Sequence, residues 1–277
     1  TYCSTAFAVI NAGLKPILVD IESSKPTISL NDLENKINKK TKVIMPVHLY
    51  GSVVDISKIK KMIKKKNIYI IDDCSQAHGA YFGNERVGSL ADISCFSLYP
   101  GKNLGAYGDA GIITTNNLNH YNKIKNFRNL GSTIKFTHTQ VGFNSRLDTI
   151  QASILIEKLK LLKNYNEKRK KIAKYYDENI INRRITKLKY SKGSVYHQYV
   201  VMVSNKIELV NLFKQNNIEF GFHYPKSINQ IESLKSMFKK NNYINSENLA
   251  KKCFSIPIDP TLNKKEILKI VKVLNLF

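Results

Sequence analysis

One lysine of this chain lies in a setting that could make it a nucleophile. Residues 97–111 read SLYPGKNLGAYGDAG, so Lys102 is the single lysine in a stretch with four glycines, and a short apolar run precedes it. A lysine held away from water has a lowered pKa, and its free amine attacks aldehydes and ketones. Most other lysines lie in helical patterns such as KIKKMIKKKN (residues 58–67), which are typical of solvated helix surface.

A pair of acids follows another apolar run and could serve the same site. Asp72 and Asp73 occur in IIDDCSQAHGA, residues 70–80. Either acid alone could cap a helix. Where an apolar run ends in two acids, one can cap the helix while the other faces a cationic ligand. A carboxylate facing Lys102 across a ring is the partner that a pyridinium nitrogen needs, and the hydroxyl of Ser97 suits a phosphate. These residues fit a pyridoxal phosphate (PLP) site, although a generic α/β nucleotide binder also fits a glycine-rich loop.

Short apolar runs alternate with helical patterns through the first half of the chain. The pattern predicts strands at residues 15–20, 42–48, 68–73, 93–98 and 111–115, helices at 29–40 and 55–66, and a hairpin at 80–89. Such alternation is typical of an α/β protein with a mostly parallel sheet. The carboxyl ends of parallel strands meet at one edge of the sheet, where ligands bind. We therefore expect Asp73 and Lys102 to lie close together.

The second half of the chain predicts a smaller unit. One long helical pattern covers residues 147–179, followed by strands at 195–203 and 218–224 and helices at 206–217 and 263–277. This mixture is typical of an α+β domain. We therefore predict a large α/β domain at residues 1–165 and a small C-terminal α+β domain at residues 166–277.

The charge of the chain raises one alternative function. Lysine and arginine number 44 against 21 aspartates and glutamates, which gives a formal net charge of +23, as in a nucleic-acid-binding protein. The lysines are spread over predicted helix surfaces, however, and no common RNA- or DNA-binding motif accompanies them. Nucleic acid is therefore not expected as a partner.

The apolar runs and the cysteines bear on where the protein works. No apolar run approaches the ~20 residues that a membrane-spanning helix needs, so no membrane partner is expected. The four cysteines are scattered without metal-like spacing, which is typical of reduced thiols in the cytoplasm and predicts no metal site. The chain begins at Thr1 within an apolar pattern, and we expect an N-terminal segment to be missing.

Residues 70–115 form a long ordered motif. They read IIDDCSQAHGAYFGNERVGSLADISCFSLYPGKNLGAYGDAGIITT and resemble the core signature of the DegT/StrS family of PLP-dependent nucleotide-sugar aminotransferases. The similarity continues through RNLGS, GFNSRLDTIQAS, YHQYVV, GFHYP and FSIPIDP, and so covers essentially the whole chain. The resemblance implies PLP-dependent transferase fold type I, which is aspartate aminotransferase-like. It also implies a further stretch before Thr1 that helps to hold the phosphate.

The resemblance implies a role for each matching residue around the cofactor. Lys102 matches the Schiff-base lysine, which also moves the proton between the substrate carbon and the cofactor. Asp73 matches the carboxylate that pairs with the pyridine nitrogen, and Gln76 matches the residue near the phenolic oxygen of the ring. Ser97 matches a phosphate-binding hydroxyl. Asn144 matches an asparagine that reaches the phosphate of the neighbouring subunit's cofactor, which implies a homodimer with shared active sites.

Four further residues are candidates for the same site. Tyr2 falls where the family places an aromatic ring stacked on PLP. His223 and Tyr224, in GFHYP, lie where the second domain of the family faces the substrate, although packing in the core fits them equally well. Arg146 could contact a phosphate or a carboxylate, or could pair with Asp148.

The resemblance also implies an activity. A member of this family converts PLP to the pyridoxamine form with an amino donor, usually glutamate. It then transfers the amino group to a nucleotide-linked keto-6-deoxysugar for a surface polysaccharide such as O-antigen or capsule. The motifs look most like those of members that act on 3-keto sugars. Two alternatives stay open, a non-catalytic or regulatory ligand-binding member and a basic nucleic-acid-binding protein. The presence of both Lys102 and Asp73 favours the enzyme.

Overall fold

The computed structural model describes residues 1–238 and 242–277. Within these residues the helices are α1 (Cys3–Asn11), α2 (Leu30–Lys36), α3 (Ile56–Ile63), α4 (Leu118–Phe127), α5 (Thr149–Asn179), α6 (Lys206–Gln215), α7 (Lys235–Phe238), α8 (Ile244–Lys252) and α9 (Lys264–Leu276). The strands are β1 (Val43–Ile44), β2 (Tyr69–Asp73), β3 (Tyr81–Phe82), β4 (Glu85–Arg86), β5 (Ile93–Ser97), β6 (Gly111–Thr114), β7 (Ser132–Ile134), β8 (Thr137–His138), β9 (Ile185–Lys187), β10 (Tyr199–Val203) and β11 (Cys253–Ile256).

The first sheet brings the predicted chemical residues to one edge. Its strand order is β1-β2-β5-β6, with β1, β2 and β5 parallel and β6 antiparallel to β5. Asp73 pairs with Cys95, so the carboxyl ends of β2 and β5 lie side by side. The prediction of a mostly parallel sheet is confirmed, and Asp73 and Ser97 end neighbouring strands at the edge where ligands bind in such sheets.

Helix α3 illustrates how the lysine-rich segments fold. Its apolar face buries Ile56, Ile59 and Ile63, while its lysines are turned to solvent. The side chain of Asp55 caps the helix by accepting a hydrogen bond from the backbone N–H of Lys58 at 3.1 Å. The core beneath it joins α3 to β1 and β2 through residues such as Ile44 and Ile70. Lysines on such a helix are therefore surface residues, as the pattern predicts.

The second sheet forms a separate apolar core. Its order is β11-β10-β9, with all neighbours antiparallel, and every residue of β10 and β11 is buried. Helices α6 and α9 and the second half of α5 cover it, with Phe213 and Phe254 in edge-to-face contact at 5.0 Å between ring centroids. The predicted domain boundary at residue 165 falls inside α5, whose first half packs against Leu98 and Leu104 after β5 and whose second half packs in the core of the second sheet. The division into two domains stays a prediction.

Two predicted strands are wrong. Residues 15–20 form no ladder, because the backbone of Asp20 bonds instead to the side chain of Asp32 and to the N–H of Ser29. Residues 218–224 make only one bridge, between Gly221 and Ser255. The apolar residues of both segments are explained by packing against helices and neighbouring loops rather than by strand pairing.

The remaining elements extend the prediction. The hairpin at residues 80–89 is confirmed as β3 and β4, and the long helix as α5. Helices α1, α4 and α8 and the hairpin of β7 and β8 had no counterpart in the sequence prediction. Over residues 1–238 and 242–277, every helix is either too short or too polar to cross a bilayer.

Candidate active site

Asp73 ends strand β2 with both carboxylate oxygens oriented by neighbours. Its Oδ2 accepts a hydrogen bond from the Thr5 hydroxyl at 2.7 Å, and its Oδ1 accepts one from the backbone N–H of Ser75 at 3.0 Å. Its own N–H donates to the carbonyl of Pro46 at 2.8 Å. Each carboxylate oxygen keeps a lone pair for a further donor. The carboxylate is therefore fixed in orientation but able to accept a hydrogen bond from a ligand.

The partner acid, Asp72, has a different environment. Asp72 and His48 are both fully buried, and the backbone N–H of Val54 donates to His48 Nδ1 at 3.0 Å. His48 Nε2 therefore carries the ring proton and donates it to Asp72 Oδ2 at 3.1 Å. Cys74 completes a cluster of possible metal ligands, but both ring nitrogens of His48 are already used in hydrogen bonds. We interpret this cluster as a structural support behind Asp73.

Lys102 lies in the loop that follows β5. Its backbone N–H donates to the carbonyl of Tyr99 at 2.9 Å, and its side chain is partly buried. A Cβ at Gly105 would lie 2.3 Å from the carbonyl oxygen of Pro100, so the loop can close only with glycine there. Burial lowers the pKa of Lys102 below its usual 10.5, and the nearby charge of Asp73 partly opposes this shift. Asp73 ends β2, and Lys102 follows the neighbouring parallel strand β5, so both residues lie at the same edge of the sheet, as expected.

Gln76 links the turn after β2 to two tyrosines. The side chain is buried, and its Oε1 accepts a hydrogen bond from the backbone N–H of Tyr50 at 2.5 Å. Its Nε2 donates to the hydroxyl of Tyr224 at 3.0 Å and keeps a second hydrogen. The ring of Tyr224 lies 5.6 Å from that of Tyr2, which is 57% exposed. The structure therefore brings Gln76, Tyr224 and Tyr2 together.

His223 borders the site from the second core. Its Nδ1 lies 2.7 Å from the hydroxyl of Ser255, and its carbonyl accepts a hydrogen bond from the Tyr50 hydroxyl. Burial lowers the pKa of His223, and the positive charge of Lys102 lowers it further. A cavity of about 240 Å³ opens here, lined by Gly101, His223 and Ser255 among others.

Three predicted residues have few contacts at the site within the chain. From the part of the chain that the structure describes, the Ser97 hydroxyl accepts one hydrogen bond, a long one of 3.4 Å from the N–H of Tyr99. Asn144 and Arg146 are exposed near the hairpin of β7 and β8, where Asn144 bridges to Asn129 and Arg146 lies 3.5 Å from the side chain of Asn129. Among the residues that the structure describes, neither contacts Lys102 or Asp73, and Arg146 does not pair with Asp148.

Several residues at the site carried no signal in the sequence. Thr5 lies in α1, which was not predicted, and reaches Asp73 from 68 positions away. Asn103, beside Lys102, contacts His197 and Asn166, both buried and far away in sequence. Asn103 directly follows Lys102 within the motif of residues 70–115, but that position does not reveal its partners.

The residues present fit PLP. An amine with a lowered pKa, an oriented carboxylate, an amide hydrogen and two tyrosine rings converge at one edge of the sheet. An α/β fold with a partly buried lysine and an oriented carboxylate at the same sheet edge fits a PLP-dependent transferase of the aminotransferase class.

Comparison with known proteins identifies the family. The model of the DegT/DnrJ/EryC1/StrS aminotransferase family matches residues 1–275, and the chain belongs to this family. The dTDP-3-amino-3,6-dideoxy-alpha-D-galactopyranose transaminase of Aneurinibacillus thermoaerophilus is 37% identical over 277 residues, covering 99% of this chain and 76% of that protein. The UDP-N-acetyl-3-dehydro-alpha-D-glucosamine 3-aminotransferase of Acidithiobacillus ferrooxidans is 32% identical over 276 residues, covering 99% and 74%.

Solved structures agree with this assignment. DesV of S. venezuelae, solved in complex with a ketimine intermediate, superposes with a TM-score of 0.96 at 28% identity, over 100% of this chain and 76% of DesV. NtdA of Bacillus subtilis, solved with bound cofactor PMP, gives a TM-score of 0.90 at 26% identity, over 99% and 65%. The predictions of the family, the fold, the aminotransferase class and the PLP cofactor are confirmed.

Proposed function

We propose that this protein transfers an amino group from an amino-acid donor, glutamate, to a nucleotide-linked keto-6-deoxysugar. The observation that carries the proposal is the partly buried Lys102 beside Asp73 in a chain of this family. The names of two relatives, which aminate carbon 3 of dTDP- and UDP-linked sugars, support a 3-keto substrate. A product destined for a surface polysaccharide and a cytoplasmic location, in line with four free cysteines, belong to the same proposal.

PLP, when bound, supplies a ring that draws electrons from the carbon that carries the amino group. In our proposal Asp73, held by Thr5 and Ser75, keeps a proton on the ring nitrogen. Gln76 would offer its free Nε2 hydrogen to the oxygen of the bound ring, and Tyr2 would stack on the ring.

Lys102 moves the proton in this mechanism. Its lowered pKa increases the fraction of unprotonated Nζ at neutral pH, so Nζ can take a proton from the donor carbon. It returns a proton to the sugar carbon in the second half of the reaction. His223, kept neutral by burial and by the charge of Lys102, and Tyr224 face the substrate, and Ser97 donates to the phosphate.

The proposal includes a homodimer with shared sites. Asn144 and Arg146 are exposed on this chain and lack contacts with Lys102 or Asp73 among the described residues. In a dimer Asn144 would reach the cofactor phosphate of the partner subunit. Exposed apolar side chains occur in the same stretch of chain, including Phe136, Val141 and Ile150, and would be buried by a second copy in such a dimer.

The first experiment tests for covalent cofactor binding. We expect the full chain with added PLP to form an adduct that borohydride fixes and that peptide mass spectrometry locates at Lys102. The variant Lys102→Ala should lose the adduct, whereas Lys60→Ala, on the exposed face of α3, should keep it. An unmodified Lys102 in the wild-type protein would overturn the proposal and favour a non-catalytic member of the family.

A second experiment identifies the substrate. The PLP-loaded protein is incubated with glutamate and a panel of nucleotide-linked 3-keto and 4-keto 6-deoxysugars, and the aminated product is detected by mass spectrometry and located by NMR. We expect turnover of a 3-keto sugar. Turnover of the 4-keto sugars alone would contradict the position proposed here.

A further inference from the structure

We propose that Asn103 is a positioning residue, which holds the Lys102 loop in a fixed position relative to the turn that carries Asp73 and Gln76. It does so through a partly buried series of hydrogen bonds that runs from His197 through Asn103 and Asn166 to the carbonyl of His78. This inference rests on the proposed function, since it concerns the placement of the reacting lysine.

Asn103 uses both ends of its side-chain amide. Its Nδ2 donates to Asn166 Oδ1 at 2.9 Å and to the carbonyl of Val195 at 3.2 Å. Its Oδ1 therefore faces His197 Nδ1 at 3.0 Å as the acceptor, so Nδ1 of that imidazole carries the proton. One side chain thus joins the Lys102 loop to α5 and to the segment before β10.

Asn166 continues this series of hydrogen bonds towards the other side of the site. It is 3% exposed, and its Nδ2 donates to the carbonyl of His78 at 2.8 Å. His78 follows Gln76 by two residues in the same turn. A Cβ at Gly79 would lie 2.9 Å from Asn166 Nδ2, so the helix and the turn approach closely only because Gly79 lacks a side chain. The loop and the turn are therefore fixed to the same residue of α5.

The groups in this series of hydrogen bonds do not add a charge that would hinder Lys102 from losing its proton. His197 is 8% exposed, and burial lowers its pKa well below 6.5, with Lys102 and Arg169 lowering it further. A neutral imidazole that donates to Asn103 adds no positive charge beside Lys102. Because the lysine stem is flexible, fixing the backbone next to it limits where Nζ can reach. Asn103 thereby controls both the position of the amine and its exposure to water.

The test compares Asn103→Ala and Asn103→Asp with the wild-type protein. The aspartate keeps an acceptor for His197 but loses the two donated hydrogen bonds. The matched control is Asn179→Ala, which removes a hydrogen bond to the carbonyl of Tyr175 near the end of the same helix α5. Melting temperatures identify any variant that fails to fold, and the aspartate variant, closest in shape to asparagine, then carries the test.

The first readout needs no cofactor. Competitive acetylation of the full chain over a pH series, read by peptide mass spectrometry, gives the pKa and reactivity of Lys102 itself. With Asn103→Ala we expect the Lys102 profile to move towards that of an exposed lysine, because the loosened loop lets the amine reach water. A merely structural role would lower the melting temperature and leave this profile unchanged, which would overturn the inference.

The second readout is PLP affinity and turnover. Loss of the hydrogen bonds that Asn103 makes should weaken PLP binding by about tenfold, because the lysine loop is no longer held in place. We expect kcat to fall while KM for the sugar changes less than about twofold, because Asn103 acts on the lysine rather than on the substrate. The control Asn179→Ala should match the wild type in both.

A double variant tests whether the two asparagines act as one unit. Asn103→Ala and Asn166→Ala interrupt the same series of hydrogen bonds. The loss of PLP binding free energy in the double variant should therefore be smaller than the sum of the losses in the two single variants. Full additivity would overturn the inference. If the wild-type protein forms no PLP adduct, the proposed function fails, while the acetylation profile of Lys102 still decides the role of Asn103.

Discussion

Lys102 differs from the other lysines of this chain through its surroundings rather than its chemistry. Partial burial lowers its pKa, whereas the lysines of α3 lie on a solvated helix face. The charge of Asp73 acts in the opposite direction and raises the pKa of the lysine. The balance between these two effects sets how much free amine is present at neutral pH.

The hydroxyl of Thr5 orients the carboxylate of Asp73 by donating a hydrogen bond to its Oδ2. We predict that Thr5→Val, which keeps the shape but removes the 2.7 Å hydrogen bond, weakens PLP binding by about tenfold, since hydrogen bonds to charged groups contribute about 1.5–3 kcal/mol. Titration of PLP followed by absorbance measures this. Thr5→Ser keeps the hydroxyl and should bind like the wild type. Equal affinity of the valine and serine variants would contradict the role of Thr5.

At the scale of elements, the sheet edge depends on how strands β2 and β5 end. Their parallel register places Asp73 beside Cys95 and brings the loop of Lys102 to the turn of Gln76. Strand patterns in the sequence predicted this edge, because buried parallel strands leave a clear apolar signal. The same signal was misleading at residues 15–20, where apolar side chains pack without a ladder.

Asp20 shows what that segment does instead. Its Oδ1 accepts from the backbone N–H and the hydroxyl of Ser246 at 2.8 and 2.6 Å, and its Oδ2 accepts from the N–H of Asn245 at 2.9 Å. These residues form the first turn of α8, whose own N-cap residue, Tyr243, makes no side-chain cap bond. Asp20, from the first part of the sequence, thus caps the N-terminus of α8, a helix in the last part of the sequence.

We predict that Asp20→Ala destabilises the protein by about 2–3 kcal/mol, because it leaves several donors without a charged acceptor. Urea unfolding followed by circular dichroism measures the free energy of unfolding. The control is Asp55→Ala, which removes a cap with a single backbone hydrogen bond and should cost about 1 kcal/mol. If Asp20→Ala costs no more than Asp55→Ala, this account of the link is wrong.

At the scale of the whole molecule, residues 136–150 expose several apolar side chains to solvent. Phe136, Val141 and Ile150 are 84%, 93% and 74% exposed, and they lie in the same stretch of chain as Asn144 and Arg146. Large exposed apolar patches in water-exposed proteins usually mark interaction sites. We take this surface as the interface of the proposed homodimer.

We predict that Val141→Glu converts a dimer to a folded monomer, because a buried charge opposes association while the exposed position tolerates glutamate in the single chain. Sedimentation velocity measures the mass, and PLP affinity should fall with loss of the partner's Asn144. The control Ile207→Glu, at a position 76% exposed on α6, should stay dimeric. A Val141→Glu variant that remains dimeric would exclude this interface.

The sequence by itself determined the chemistry, the order of the main elements and the edge of the sheet at which the lysine and the acids meet. These features depend on residue type and on local apolar periodicity, and both can be recognised within short stretches of sequence. The tertiary structure decided what surrounds each of the two acids. Asp73 accepts a hydrogen bond from Thr5 at the edge of the sheet, whereas Asp72 is buried against His48.

The tertiary structure also supplied the partners that hold the site together. Thr5 reaches Asp73 across 68 positions, Asn103 reaches Asn166 across 63, and Asp20 reaches Ser246 across 226. Threonine, asparagine and aspartate have the same local signature whether they face water or a distant side chain. Contacts of this kind depend on how elements pack in three dimensions, so only the folded chain reveals them.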